Sequence, residues 1–92
     1  MIESFRHKGL KRLFEDDDHR GVNAEHAGKI ENILGLLDAA QTLEELNLPT
    51  FRLHPLTGKL KGLWSVTVRA NWRIVFRFED GCVHDVDLVD YH

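Results

Sequence analysis

One cysteine, Cys82, stands in a chain of 92 residues. No internal disulfide can form, and a reducing compartment is the expected setting. One cysteine with scattered histidines also gives no zinc-finger spacing, so no metal or other cofactor is expected. No apolar run approaches the roughly 20 residues of a membrane span. The first residues, Met1-Ile2-Glu3-Ser4-Phe5-Arg6, lack the apolar stretch of a secretory signal, so no membrane role is expected and the cytoplasm is the expected location. There are two prolines, no repeats and no low-complexity stretch that would mark a linker. At this length one domain is expected, spanning 1–92 and burying little more than about 60% of the unfolded surface.

The most telling absence is local. Residues 51–78 contain no Asp or Glu, although the whole chain carries fifteen. The same stretch holds six cations, Arg52, Lys59, Lys61, Arg69, Arg73 and Arg77, together with His54. A net charge of −3 therefore conceals a basic block able to hold a polyanion while the rest of the chain repels one. The chain then ends on a carboxylate, a phenol and an imidazole: Asp90-Tyr91-His92.

Periodicity divides the chain in two. Met1 to Phe5 alternates and reads as a short strand. Leu10, Leu13 and Phe14 share one helix face, and the acidic run Glu15 to Asp18 predicts its end, since acid opposes the dipole at a helix C-terminus. Asn23 is the expected N-cap of a second helix with Ala27, Ile30, Leu34 and Leu37 as its apolar stripe. Gly28 and Gly35 inside that helix are expected to permit close packing against the sheet or the first helix. Thr42-Leu43-Glu44-Glu45 fits a capping box opening a short helical turn.

From residue 50 the period becomes two. Phe51 and Leu53 alternate with Arg52 and His54, residues 55–62 form a loop, and two strands follow around an Ala70-Asn71 turn. Trp64, Val66, Trp72, Ile74 and Phe76 are expected on the core face. Asp80-Gly81 signals a final hairpin. A two-residue loop there would place Asp85 and Asp87 on the apolar face. A three-residue loop with a bulge at Gly81 is therefore expected, pairing Phe76 with Val86, Ile74 with Leu88 and Arg77 with Asp85. The expected fold is α+β, with the N-terminal strand and two helices packed on one face of a mainly antiparallel sheet. The other face would carry Arg52, His54, Arg69, Arg73, Arg77 and Tyr91.

Such a face suits phosphate, which arginine forks bind bidentately. RNA also carries a 2′-OH that a base can turn against the adjacent phosphate. That reaction requires a base, an acid for the leaving oxygen and cations for the developing charge. Histidine can fill either proton role. The residues alone support a small domain that binds RNA or an acidic partner, and stop there.

A resemblance goes further. The segments Ile2 to Leu10, Leu53-His54-Pro55-Leu56, Gly62 to Ile74 and the terminal Asp90-Tyr91-His92 resemble the HigB toxins of bacterial toxin–antitoxin systems, within the RelE/ParE superfamily. The resemblance spans the whole chain and implies the RelE-like microbial ribonuclease fold. It also implies a ribosome-dependent endoribonuclease, an mRNA interferase that cuts translated mRNA in the decoding site by metal-independent attack of the 2′-OH. The implied partners are the ribosome with its mRNA and a HigA-like helix-turn-helix antitoxin, whose hetero-oligomer with the toxin binds operator DNA through the antitoxin. Carried onto this chain, the implied catalytic residues are His54, Asp90, Tyr91 and His92. Arg73 fits a phosphate-binding role, with Arg69, Lys59 and Lys61 as further cations. One departure is Thr57, where relatives often carry lysine after the Leu-His-Pro-Leu motif; either Lys59 or Lys61 substitutes, or turnover is weaker. A ParE-like, non-enzymatic inhibitor and an inactive toxin that only binds its antitoxin are the competing readings.

Overall fold

The computed structural model describes residues 1–91. Helix α1 runs Lys8–Asp16 and helix α2 runs Ala24–Ala39. They are followed by strands β1 (His54–Pro55), β2 (Trp64–Arg69), β3 (Trp72–Glu79) and β4 (Cys82–Asp90). These four form an antiparallel sheet in the order β1-β2-β3-β4. The N-terminal segment lies parallel along the free edge of β4. There Val83 N–H donates to Met1 O at 2.9 Å and Arg6 N–H to Val86 O at 2.8 Å, so the expected first strand is present as two short bridges. This segment covers an edge that would otherwise expose unpaired backbone groups.

Local chemistry accounts for the helix ends. The His7 side chain caps α1 by accepting from Leu10 N–H at 3.1 Å. Asp17 turns the chain out of α1 with a left-handed backbone, within the acidic run. Asn23 caps α2 as expected, its Oδ1 accepting from Glu25 N–H at 2.8 Å. Glu45 closes the short 3-10 turn Leu43–Leu46 by accepting from Gln41 and Thr42 N–H groups.

Both helices press their apolar stripes on one sheet face. Leu10 and Leu13 of α1 and Ile30, Ile33, Leu34 and Leu37 of α2 bury against Val66, Val68, Ile74, Phe76, Val83 and Val86. Trp64 and Leu88 join this core as half-buried residues. Trp72 does not: it is 36% exposed. It begins β3 beside the turn, where its ring lies 6.3 Å from that of His26 near the start of α2. Helix α1 also packs closely against the connection to α2. A Cβ on Gly9 would stand 2.3 Å from the Gly21 carbonyl oxygen, so that crossing requires glycine. Gly28 and Gly35 serve no such approach, since a Cβ on either would meet nothing within 4 Å.

The final hairpin corrects the expected register. Its loop has two residues, Asp80 and Gly81, both with positive φ, and it pairs Glu79 with Cys82 and Phe78 with Val83. The extra residue sits instead at Asp85, whose φ is 57° and where the pairing slips between Val75 and Arg77. Beyond this bulge Ile74 faces Leu88 as expected. Moving the bulge along the strand keeps both the favoured tight turn and the apolar face. Ser4 Oγ accepts from the Asp85 N–H at 2.9 Å, so the N-terminal segment supports the bulge. Arg77 pairs with His84 in register, while its guanidinium reaches Asp85 and Glu79.

A second correction concerns residues 50–53. Residues 50–52 lie in a turn and residue 53 is irregular rather than strand, with Arg52 at φ 49°, and β1 is two residues long. The facing survives: Phe51 is buried and Arg52 exposed. Phe51 O accepts from Thr67 N–H at 2.7 Å, which ties the turn to β2.

Candidate functional site: a cationic cleft on the sheet

The sheet face away from the helices carries a cleft of about 220 Å³ lined by Arg52, His54, Leu56, Ser65, Arg73 and Tyr91. Four separate stretches of chain contribute. The left-handed turn at Arg52 swings its side chain outward from buried Phe51. His54 opens β1 and pairs with Ser65 of β2. Ser65 pairs with Val75 of β3, and Arg73 lies two residues along on the same face, opposite Thr67 and Val89. Tyr91 follows β4, where its N–H donates to Asn71 O at 2.7 Å. That bond fixes the end of the strand beside the β2–β3 turn.

Arg73 is the best-held group. Its Nη1 donates to Thr67 Oγ1 at 2.9 Å, and its guanidinium carbon lies 5.4 Å from the Tyr91 ring centroid. A guanidinium stacked on an aromatic ring and tied at one nitrogen keeps its fork oriented. Among the described residues no carboxylate lines the cleft, so none of them neutralises the Arg52 and Arg73 charges within it. Two arginines, an imidazole and a phenol thus face one concavity. Such a set can hold a phosphate and move protons beside it.

The cleft gathers His54, Tyr91 and Arg73 among the expected site residues. It does not gather all of them. Asp90 pairs with Trp72, and strand alternation directs its side chain opposite to Tyr91. Arg69 is exposed at the end of β2. Lys59 lies in the 3-10 turn Gly58–Leu60 and Lys61 just beyond it, both exposed and outside the lining. His92 lies outside the described residues. Three lining residues, Arg52, Leu56 and Ser65, were not among the named site residues. Arg52 had a signal, its alternation with His54. Ser65 had only a faint one, a small polar residue between Trp64 and Val66 in an apolar strand.

Among the described residues, the one group of histidine and carboxylates close enough to share an ion is Asp17, His19 and Glu31, within 4.8 Å of one another on the helix side. There His19 Nε2 lies 3.0 Å from Asp17 Oδ1 and 2.9 Å from Glu31 Oε1.

The arrangement of two helices on this sheet is that of the RelE-like toxins. YafQ of E. coli, solved as a histidine-to-glutamine variant, superposes with a TM-score of 0.63 at 20% identity, covering 98% of this chain and 91% of that one. The family described as RelE-like toxin of type II toxin-antitoxin system HigB matches residues 3–92, and the chain belongs to it. It is 48% identical to Endoribonuclease HigB of Proteus vulgaris over the full length of both chains. It is 35% identical to Toxin HigB-1 of Vibrio cholerae, covering 88% of this chain and 87% of that one. An antitoxin partner follows from membership in such a two-component system.

Proposed function

We propose that the chain, an endoribonuclease toxin of a type II toxin–antitoxin system, cuts mRNA in the cleft of Arg52, His54, Arg73 and Tyr91, and does so on the translating ribosome. The observation that carries this reading is the convergence of these four side chains from distant stretches of the sequence. A toxin that acted only by binding would have no use for an imidazole and a phenol facing two arginines.

In the proposed reaction the 2′-OH attacks the adjacent phosphorus and the bond to the 5′-oxygen breaks. The products are a 2′,3′-cyclic phosphate and a 5′-hydroxyl end. One proton leaves the 2′-oxygen and one is delivered to the 5′-oxygen. His54 and the terminal residues Tyr91 and His92 are the proton-handling groups, with Asp90, beside Tyr91 in sequence, as the fourth member of the proposed set. Arg73 and Arg52 hold the phosphate and offset the charge that builds on it. Arg69, Lys59 and Lys61 lie outside the cleft, where they suit neighbouring phosphates of the RNA path. With cations and proton carriers drawn from side chains, the step requires no metal, and cleavage persists in chelator.

Few groups hold free RNA, so the ribosome presents the substrate. The cytoplasm, where translation occurs, is the working compartment, and no helix among the described residues is long and apolar enough to cross a membrane. The antitoxin is of the HigA type, a helix-turn-helix protein whose complex with the toxin binds operator DNA. Primer extension on a reporter mRNA after brief induction tests the reading. Discrete cuts within translated codons are expected. Growth arrest with intact mRNA would replace it by an inhibitor of another target.

A further inference from the structure

Two side-chain polar atoms among the described residues are buried without a hydrogen-bond partner: Ser65 Oγ and Arg73 Nε. Both belong to residues that line the cleft. Buried polar groups are nearly always paired, because leaving one unpaired forfeits its hydration with nothing in return. Two such orphans, on two residues that line one concavity, point to a group that arrives from outside.

Their chemistry narrows that group. Arg73 Nε–H can only donate, and the Ser65 hydroxyl can donate. The Arg73 fork is already held by Thr67 and the Tyr91 ring, so its remaining N–H has little freedom to turn toward another protein acceptor. Ser65 is 1% exposed and sits opposite His54 in the β1–β2 pairing. It lies diagonally across from Arg73, with Val75 its direct partner on β3. Diagonal neighbours on one face are within reach of a long side chain. A serine is also a poor choice for the interior of this strand, where a β-branched residue would pack better.

We propose that Ser65 Oγ and Arg73 Nε form a buried two-donor seat for one phosphate group, which makes Ser65 a substrate-binding residue beneath His54. This rests on the cleft being the RNA site. The donors meet different oxygens of the phosphate and fix its rotation relative to the His54 imidazole. Without ligand the seat is a liability to the fold, because its hydroxyl is desolvated and unpaired.

The test separates this role from a structural one by sign. Wild type and Ser65→Ala are compared for thermal melting without phosphate. They are also titrated with inorganic phosphate at constant ionic strength, following the Arg73 Nε–H resonance by NMR. The expected result is opposite movement. Ser65→Ala melts higher by at least about 4 °C, since an unpaired buried hydroxyl is gone. It binds phosphate about tenfold more weakly, since one donor to an anion is lost. A lower melting temperature, failure to fold, or unchanged phosphate affinity would each overturn the seat. Because the readout uses free protein and inorganic phosphate, the seat can stand even where wild type fails to cut mRNA. That failure would sink the ribonuclease reading alone.

Discussion

At the scale of single residues, the cleft depends on orientation as well as charge. Arg73 is tied by Thr67 and stacked on Tyr91, so its value lies in a fixed planar fork. Lysine keeps the charge and loses the fork, the stack and the Nε donor. Arg73→Lys is therefore expected to lose cleavage about as fully as Arg73→Ala, by roughly 10²–10³ in rate, with circular dichroism unchanged. Near wild-type cleavage by the lysine variant would reduce Arg73 to a plain positive charge. Sequence made His54, Arg73 and Tyr91 visible through alternation and a recognisable pattern. Ser65 was only faintly visible, because its significance lies in what fails to bond to it, which only packing determines. Asp90 illustrates the converse: it is adjacent to Tyr91 in sequence and directed away from it by the strand.

Among the elements, the helices were legible and the strand registers only partly so. Caps at Asn23 and in the Thr42–Glu45 turn are written in short local patterns, and the structure contains them. The β4 bulge depends on a contest between turn geometry and apolar facing, and on support from Ser4, some eighty positions away in sequence. No local pattern encodes that support. The glycines were misjudged for a similar reason, since only tertiary contact distinguishes a required glycine from an incidental one. Gly28→Ala is expected to stabilise the fold by about 1 kcal/mol, because its Cβ meets nothing and α2 gains propensity. Gly9→Ala is expected to destabilise it, because its Cβ would collide with the Gly21 backbone. Urea denaturation of both variants checks the opposite signs. In the connection between the helices, hydrogen bonds from the Arg20 side chain and backbone hold the Asp18 carboxyl down at about 2, from an ordinary value of 3.8. The folded state thus resists a proton that the unfolded chain accepts. The stability from this pair is complete above about pH 4 and is lost as the pH falls through about 2. The stability difference between wild type and Asp18→Asn should shrink across that window. A difference that persists unchanged at its acid end would contradict the assignment.

Taken as a whole molecule, the chain segregates its charge. Every acidic residue lies outside residues 51–78, and that stretch builds the cleft wall and the exposed cations around it. An overall anionic protein with one basic face approaches RNA in one orientation and holds it weakly. Binding to naked single-stranded RNA should fall steeply with salt. The expected logarithmic slope is about 0.7 per phosphate neutralised, approaching 4 if all six cations of the segment engage. A filter-binding series in salt measures it. A flat response would mean that the basic face does not meet RNA.

The most direct test of the central claim is single-turnover cleavage of mRNA on programmed ribosomes, comparing wild type with His54→Ala and with a chain truncated after Asp90, at matched folded fraction. Both variants should lose about 10²–10⁴ in rate, because each lacks a group placed to move a proton at the cleft. Their melting temperatures should stay near wild type, since His54 and Tyr91 are both exposed. Cleavage at the wild-type rate by both variants would contradict the account and move the chemistry elsewhere on the protein.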